Sequence, residues 1–252
     1  MFTALEQNIY TLSGLVILFT LQTLFPYFED YSSQIKHTLR NFSLTVINAI
    51  LINVLVSPLI LLSTQQEFGL FSYINLNWGI QLILTFFILD LLAYVWHVLA
   101  HKVPIFWRFH KVHHSDTQMD VTTAGRFHIG EHLISLTLKM SAYLVFSMTL
   151  DQILIYETIF LISVMFHHSN LKISERVDRV LRVFITSPNM HKVHHSIVPE
   201  ESNTNYSSLF SFWDRIFNTF KIVSNPKAIK YGVKGLEDKQ SVVDMIKTPT
   251  EE

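Results

Sequence analysis

Three long stretches of the chain carry no formal charge: 7–28, bounded by Glu6 and Glu29; 41–66; and 68–89, which runs on past Asp90 into LLAYVWHVLAH. At 1.5 Å of rise per residue, each can cross a ~30 Å hydrocarbon core as a helix. Inside lipid the backbone has no water to bond to, so such spans must be helical. Composition agrees, with 49% of the 252 residues hydrophobic and 15% charged, well under the ~25% charge of an average soluble domain. An all-α integral membrane protein is expected. The first stretch lacks the basic start and small-residue cleavage site of a secretory signal and reads as a retained span. A fourth apolar stretch, 133–166, is interrupted by Lys139, Asp151 and Glu157, each costly at mid-bilayer unless it faces protein or an interface. Its polar middle, Thr149-Leu150-Asp151-Gln152, suits the tip of a hairpin.

The basic residues set an orientation. Lys36 and Arg40 fall between the first two spans, the 64–77 connection has no basic residue, and Lys102, Arg108 and Lys111 follow the third. The positive-inside rule then places the N-terminus and the 64–77 connection outside and everything just after His101 in the cytoplasm. The remainder, 169–252, is mixed in charge, reads as helical at ERVDRVLRVF, and is expected to form a cytoplasmic cap rather than a second domain, so 1–252 reads as one unit. A net charge of -1 offers no basic field for nucleic acid. The absence of Cys removes disulfides, thiolate-bound zinc, iron–sulfur clusters and Cys-ligated haem. Any metal must rest on nitrogen or oxygen.

Against that apolar background stand 13 His. Eight cluster: His97 and His101 in WHVLAH, His110, His113 and His114 in FHKVHHS, and His191, His194 and His195 in MHKVHHS. Residues i, i+3 and i+4 share one helical face, so the spacing predicts imidazoles converging on a common centre. At this His frequency one H-x-x-H-H is expected about 0.03 times by chance, and two copies well under ~0.01 times. A lone His on an apolar helix is more often a hydrogen-bonded core residue or an interfacial anchor than a ligand, and His37, in the first basic connection, is read that way. His128, in RFHIGEH, and His168, in FHHSN, are counted with the metal candidates; the neighbouring His132 and His167 are left without a role. So many imidazoles exceed one ion's needs, since zinc takes about three or four, and two metals are implied. Iron, zinc and copper all accept imidazole.

These motifs resemble those of the membrane fatty acid hydroxylase and sterol desaturase superfamily, and the match is close to its bacterial-type branch. The likeness covers 89–220, through DLLAYVWHVLAHKVPIFWRFHKVHHSD, TTAGRFHIGE, FHHSNLKI, TSPNMHKVHHS and FSFWDRIFNTF. The resemblance implies four transmembrane helices in hairpins under a cytosolic cap. It also implies a non-haem di-iron site on His97, His101, His110, His113, His114, His191, His194 and His195, with His168 and His128 on further family positions beside Glu131. Zinc is a substitute in isolated protein. The implied reaction is O2-dependent hydroxylation or desaturation of a fatty acyl, sterol-like or ether lipid, at a bacterial inner membrane or an endoplasmic reticulum. Two departures touch flanking positions: Val98 replaces the usual Arg, and Ile129-Gly130 replace Pro-x.

Electrons must come from a separate reductase or small carrier, because the chain has no flavin or nicotinamide fingerprint. Ligating His usually donates its other N–H to a carboxylate or carbonyl. Asp90, seven residues before His97 on the same face, is expected to do this, and Asp116, Glu131, Asn170 and Asp214 are further candidates. Two alternatives remain at this point. A zinc-dependent membrane hydrolase would use the same imidazoles to activate water. A His-rich metal transporter would line a path through the bilayer, yet the spans before Asp90 lack charge and His.

Overall fold

The computed structural model describes residues 2–29, 34–65 and 68–250. Among them the secondary structure is helical, with isolated β-bridges but no strand. In order, the helices are α1 (Ala4–Leu24), α2 (Gln34–Leu55), α3 (Ser57–Ser63), α4 (Leu70–Tyr73), α5 (Trp78–Lys102), α6 (Pro104–His114), α7 (Ile129–Phe146), α8 (Leu150–His168), α9 (Glu175–Phe184), α10 (Pro188–His194), α11 (Pro199–Ser202), α12 (Phe212–Ile216) and α13 (Val242–Lys247). Four are long and apolar enough to cross a membrane: α1, α2, α5 and α8.

Local chemistry moves the ends of the expected spans. Thr3 caps α1 through a reciprocal pair with Glu6, so the helix begins before the uncharged stretch does. In the second stretch α2 starts earlier, at Gln34, and stops at Leu55; Pro58 then opens α3, a position where its missing N–H costs nothing. The third expected span begins about ten residues late. Asn75 takes a positive φ of 45°, and the Asn77 side chain accepts from Ile80 N, so α5 starts only at Trp78. Gln66 and Glu67, at the junction of the second and third stretches, lie outside the described residues. The 133–166 stretch does turn at its polar middle: α7 closes on Ser147 in the left-handed region, and Thr149 with Gln152 caps α8.

The helix directions bring one set of ends together. Tyr27 N donates to Asn170 O at 2.7 Å and Lys172 N to Phe25 O at 2.8 Å, which joins the end of α1 to the end of α8. Trp78 Nε1 donates to Asp151 Oδ2 at 3.2 Å, so α5 and α8 begin together and run in parallel. The histidines at 97, 101, 167 and 168 therefore emerge at the same end, where α6, α10 and the later segments close over them. Leu89, Tyr143 and Tyr156 anchor the core below. Close approach matters at Gly14, where a Cβ would stand 3.0 Å from Ile162 of α8. The outer faces of α1 and α2 stay apolar and exposed, as lipid contact requires.

Candidate metal centre

Nine histidines assemble into two groups. His97, His101, His110, His114 and His194 form one, and His113, His168, His191 and His195 the other; within each group one ring nitrogen per residue lies within 4.8 Å of all the rest. Eight of the nine are buried, and His101 is half-buried. The two H-x-x-H-H motifs do not each serve one centre, as same-face spacing predicted. On α6, His110 and His114 turn to the first group and His113 to the second; on α10 and its cap, His191 and His195 turn to the second and His194 to the first. Adjacent residues are about 100° apart on a helix, so a neighbouring His pair diverges. The groups abut, the rings of His114 and His195 stacking at 4.4 Å.

The donor set fits metal ions. In the first group His97 Nδ1 meets Tyr206 O at 2.7 Å, His110 Nδ1 meets Glu131 Oε1 at 2.7 Å, and His194 Nδ1 meets Thr204 O at 2.7 Å. The opposite nitrogen, Nε2, is buried and without a partner in all three. Outer Nδ1–H groups held by oxygen, with inner Nε2 left bare, is the arrangement of imidazoles oriented for a metal. In the second group His168 Nε2 lies 3.0, 3.0 and 3.2 Å from Nε2 of His113, His191 and His195, a spacing that nitrogens ~2 Å from one ion would take. His168 Nδ1 is held by Val164 O at 2.7 Å. Burial first, then neighbouring imidazoles, pushes the pKa of His113, His114, His191, His194 and His195 well below the usual histidine value. They are neutral, the form a metal requires.

Other candidates fall elsewhere. His128 joins neither group; it caps α7, its Nδ1 accepting from Gly130 N at 3.0 Å. His132 and His167 line a cavity beside the groups. His37 is buried on α2 rather than in a connection, with Nε2 2.8 Å from Asp116 Oδ1.

Of the expected outer partners, Glu131 touches a clustered histidine directly. Asp90 does not bond His97: it accepts from Leu209 N, Phe210 N and Trp213 Nε1 at 3.1, 3.0 and 2.9 Å, pinning the segment that carries Tyr206. Asp214 accepts from Tyr206 N at 2.7 Å and Ser207 N at 3.0 Å, and so aims the Tyr206 carbonyl at His97. Asn170 exchanges bonds with the backbone of Phe28 and holds the end of α1. The carbonyls of Tyr206 and Thr204 escaped the sequence reading because a backbone acceptor leaves no signature in residue type.

Two openings reach the histidines. One, of ≈ 330 Å³, is mostly apolar, lies between α5, α7 and α8, and borders both groups, touching His97 and His110 of the first and His113, His168 and His191 of the second. The other reaches His101 and His114 past Trp107 and Ser196 from the side of the later segments.

The fold and site together define a helical membrane protein with two adjoining groups of buried histidines that could hold metal beside an apolar cavity. Its sequence from 82 to 219 matches the fatty acid hydroxylase family, and the chain belongs to that family. Among curated relatives, ornithine lipid hydroxylase OlsE of Rhizobium tropici is 25% identical over 90% of this chain and 71% of its own. Alkylglycerol monooxygenase of Danio rerio is 29% identical over 60% of this chain and 33% of its own, and cholesterol 25-hydroxylase of Rattus norvegicus 26% identical over 59% and 49%. The chain thus matches less than half the length of the latter two. No solved structure matches.

Proposed function

We propose that the chain is an O2-dependent membrane lipid hydroxylase whose two histidine groups each hold one iron ion. The observation that carries this reading is the apolar cavity bordering both groups at once. Bound iron would supply activation of O2 and removal of hydrogen from an unreactive C–H bond, using electrons from a separate carrier. The residues of this chain do the rest. Leu92, Ala93, Trp96 and Phe160 give a hydrocarbon an apolar wall and keep water from the reacting carbon. Tyr206 O, Glu131 and Thr204 O fix the ring orientations.

The relatives' names favour hydroxylation over desaturation and a polar lipid with a hydrocarbon portion as substrate. Lys36, Arg40, Lys102 and Arg108 lie near the histidine-bearing end of the spans, which supports a site facing the cytoplasm. Lipid profiling of a deletion strain against its complement tests the reaction: complemented cells should hold a lipid one oxygen heavier, and purified enzyme should form it only with O2 and an electron donor. A product two hydrogens lighter would identify a desaturase, and turnover without O2 a hydrolase. A reporter active only outside the membrane when fused after the last cap helix would reverse the orientation.

A further inference from the structure

The cavity holds an ion pair where a plain hydrocarbon pocket would hold none. Lys139 Nζ of α7 lies 2.8 Å from Glu157 Oε1 of α8, with side-chain exposures of 14% and 18%, and both residues line the cavity. Tyr143 OH donates to the same Oε1 at 3.3 Å, and Lys139 Nζ sits 4.6 Å from the centre of the Phe160 ring. Charges this deep in apolar surroundings are costly, and such residues mark sites that handle a ligand. The pair thus links α7 to α8 in the wall of the cavity.

The valences indicate what the pair is for. An ammonium has three donors, and one goes to Glu157. Both bonds received by the carboxylate fall on Oε1, and Oε2 takes neither. A donor and an acceptor thus stand side by side. Along α8, Glu157 lies eleven residues, or about 16 Å, before His168 of the second group.

We propose, on the reading that this cavity takes lipid, that Lys139 and Glu157 form the polar anchor for the substrate. They receive a neutral group that both donates and accepts a hydrogen bond, a hydroxyl or an amide. The anchor holds that group about three helical turns from the metal centre and so sets which carbon along the chain is attacked. A lipid with only methylene at that point would leave the remaining ammonium donors and Oε2 of the pair unmatched, and a site built for hydrogen bonds rejects such an analogue strongly.

Equilibrium binding tests this with the protein as purified and no electron donor, so that nothing turns over. The probes are 1-hexadecanol, N-methylhexadecanamide and hexadecane, followed by the fluorescence of Trp96 in the cavity wall against a Trp96→Phe control. Wild type should bind the alcohol and the amide at least about ten-fold tighter than the alkane. In Lys139→Met/Glu157→Leu the three should bind within about two-fold of one another; replacing a buried ion pair by apolar residues is often tolerated, so this variant should accumulate. Should it not, the wild-type comparison decides alone. Equal binding of all three by wild type, or a preference that survives in the double variant, would overturn the anchor while leaving a lipid cavity. Failure of every probe to bind would overturn the anchor and the lipid reading of the cavity together.

Discussion

His37 Nε2 stands 2.8 Å from Asp116 Oδ1, an ion pair that ties the start of α2 to the segment just after His114. Asn41, Thr123 and Arg126 complete the cluster: Asn41 and Thr123 bond Asp116, and Arg126 bonds Asn41, Val112 O and Ser115. Burial alone would raise the pKa of Asp116, but the charges of His37 and Arg126 hold it well below the usual carboxylate range. His37→Ala removes the nearer opposite charge while Asn41, Thr123 and Arg126 stay, and should cost about 3 kcal/mol. Thermal unfolding in detergent would measure it. A loss below about 1 kcal/mol, as expected for a histidine in a surface connection, would show the pair to be dispensable.

Metal content separates the ligands from their neighbours. Fully loaded wild type should carry about two ions per chain. His168→Ala removes the nitrogen about which the second group gathers and should leave about one ion. His128→Ala should retain both, since that ring caps a helix. Elemental analysis of the three proteins, loaded side by side, is sufficient.

Glu131 orients His110 from behind. Glu131→Gln keeps the shape but weakens the bond to Nδ1, and metal affinity should fall about 10- to 100-fold. Competition with a chromogenic chelator would report the change. Unchanged affinity would mean that packing alone holds the ring.

Asp90 acts at a distance through the backbone. Asp90→Ala leaves Leu209 N, Phe210 N and Trp213 Nε1 without their acceptor and should destabilise the protein by about 3 kcal/mol. Because the same segment carries Tyr206, ion loss on dilution should also quicken. Chelator-induced release rates would show this, and a variant that is destabilised yet releases metal at the wild-type rate would uncouple Asp90 from the centre.

The spans and the histidine clusters were legible because they rest on patterns local in sequence: runs without charge, and imidazoles at helical spacing. What escaped was set by single side chains or by the fold. Asn75 and Asn77 delay α5, and Pro58 divides the second stretch. The sharing of each H-x-x-H-H between two centres depends on where α6 and α10 face one another. Asp90 was expected beside His97 from its seven-residue spacing, yet its oxygens meet the backbone of Leu209 and Phe210 and the Trp213 indole, partners more than a hundred residues away. His37 was read as a non-ligand histidine in the basic connection, but its partner could not be named because Asp116 comes 79 residues later.

The crossed allotment of the two H-x-x-H-H motifs has a consequence for biogenesis. The first group needs His194 and the second needs His191 and His195, while both also draw on α6. Neither half can therefore be finished while the ribosome is still producing the spans. The membrane helices must insert with their imidazoles unfilled, and the site can close only when the stretch around residue 195 folds back onto residues made some eighty positions earlier. With the two groups holding the proposed ions, metal delivery would be a late step, and a truncation just before His191 should yield an inserted chain with no complete centre rather than a chain with one of two.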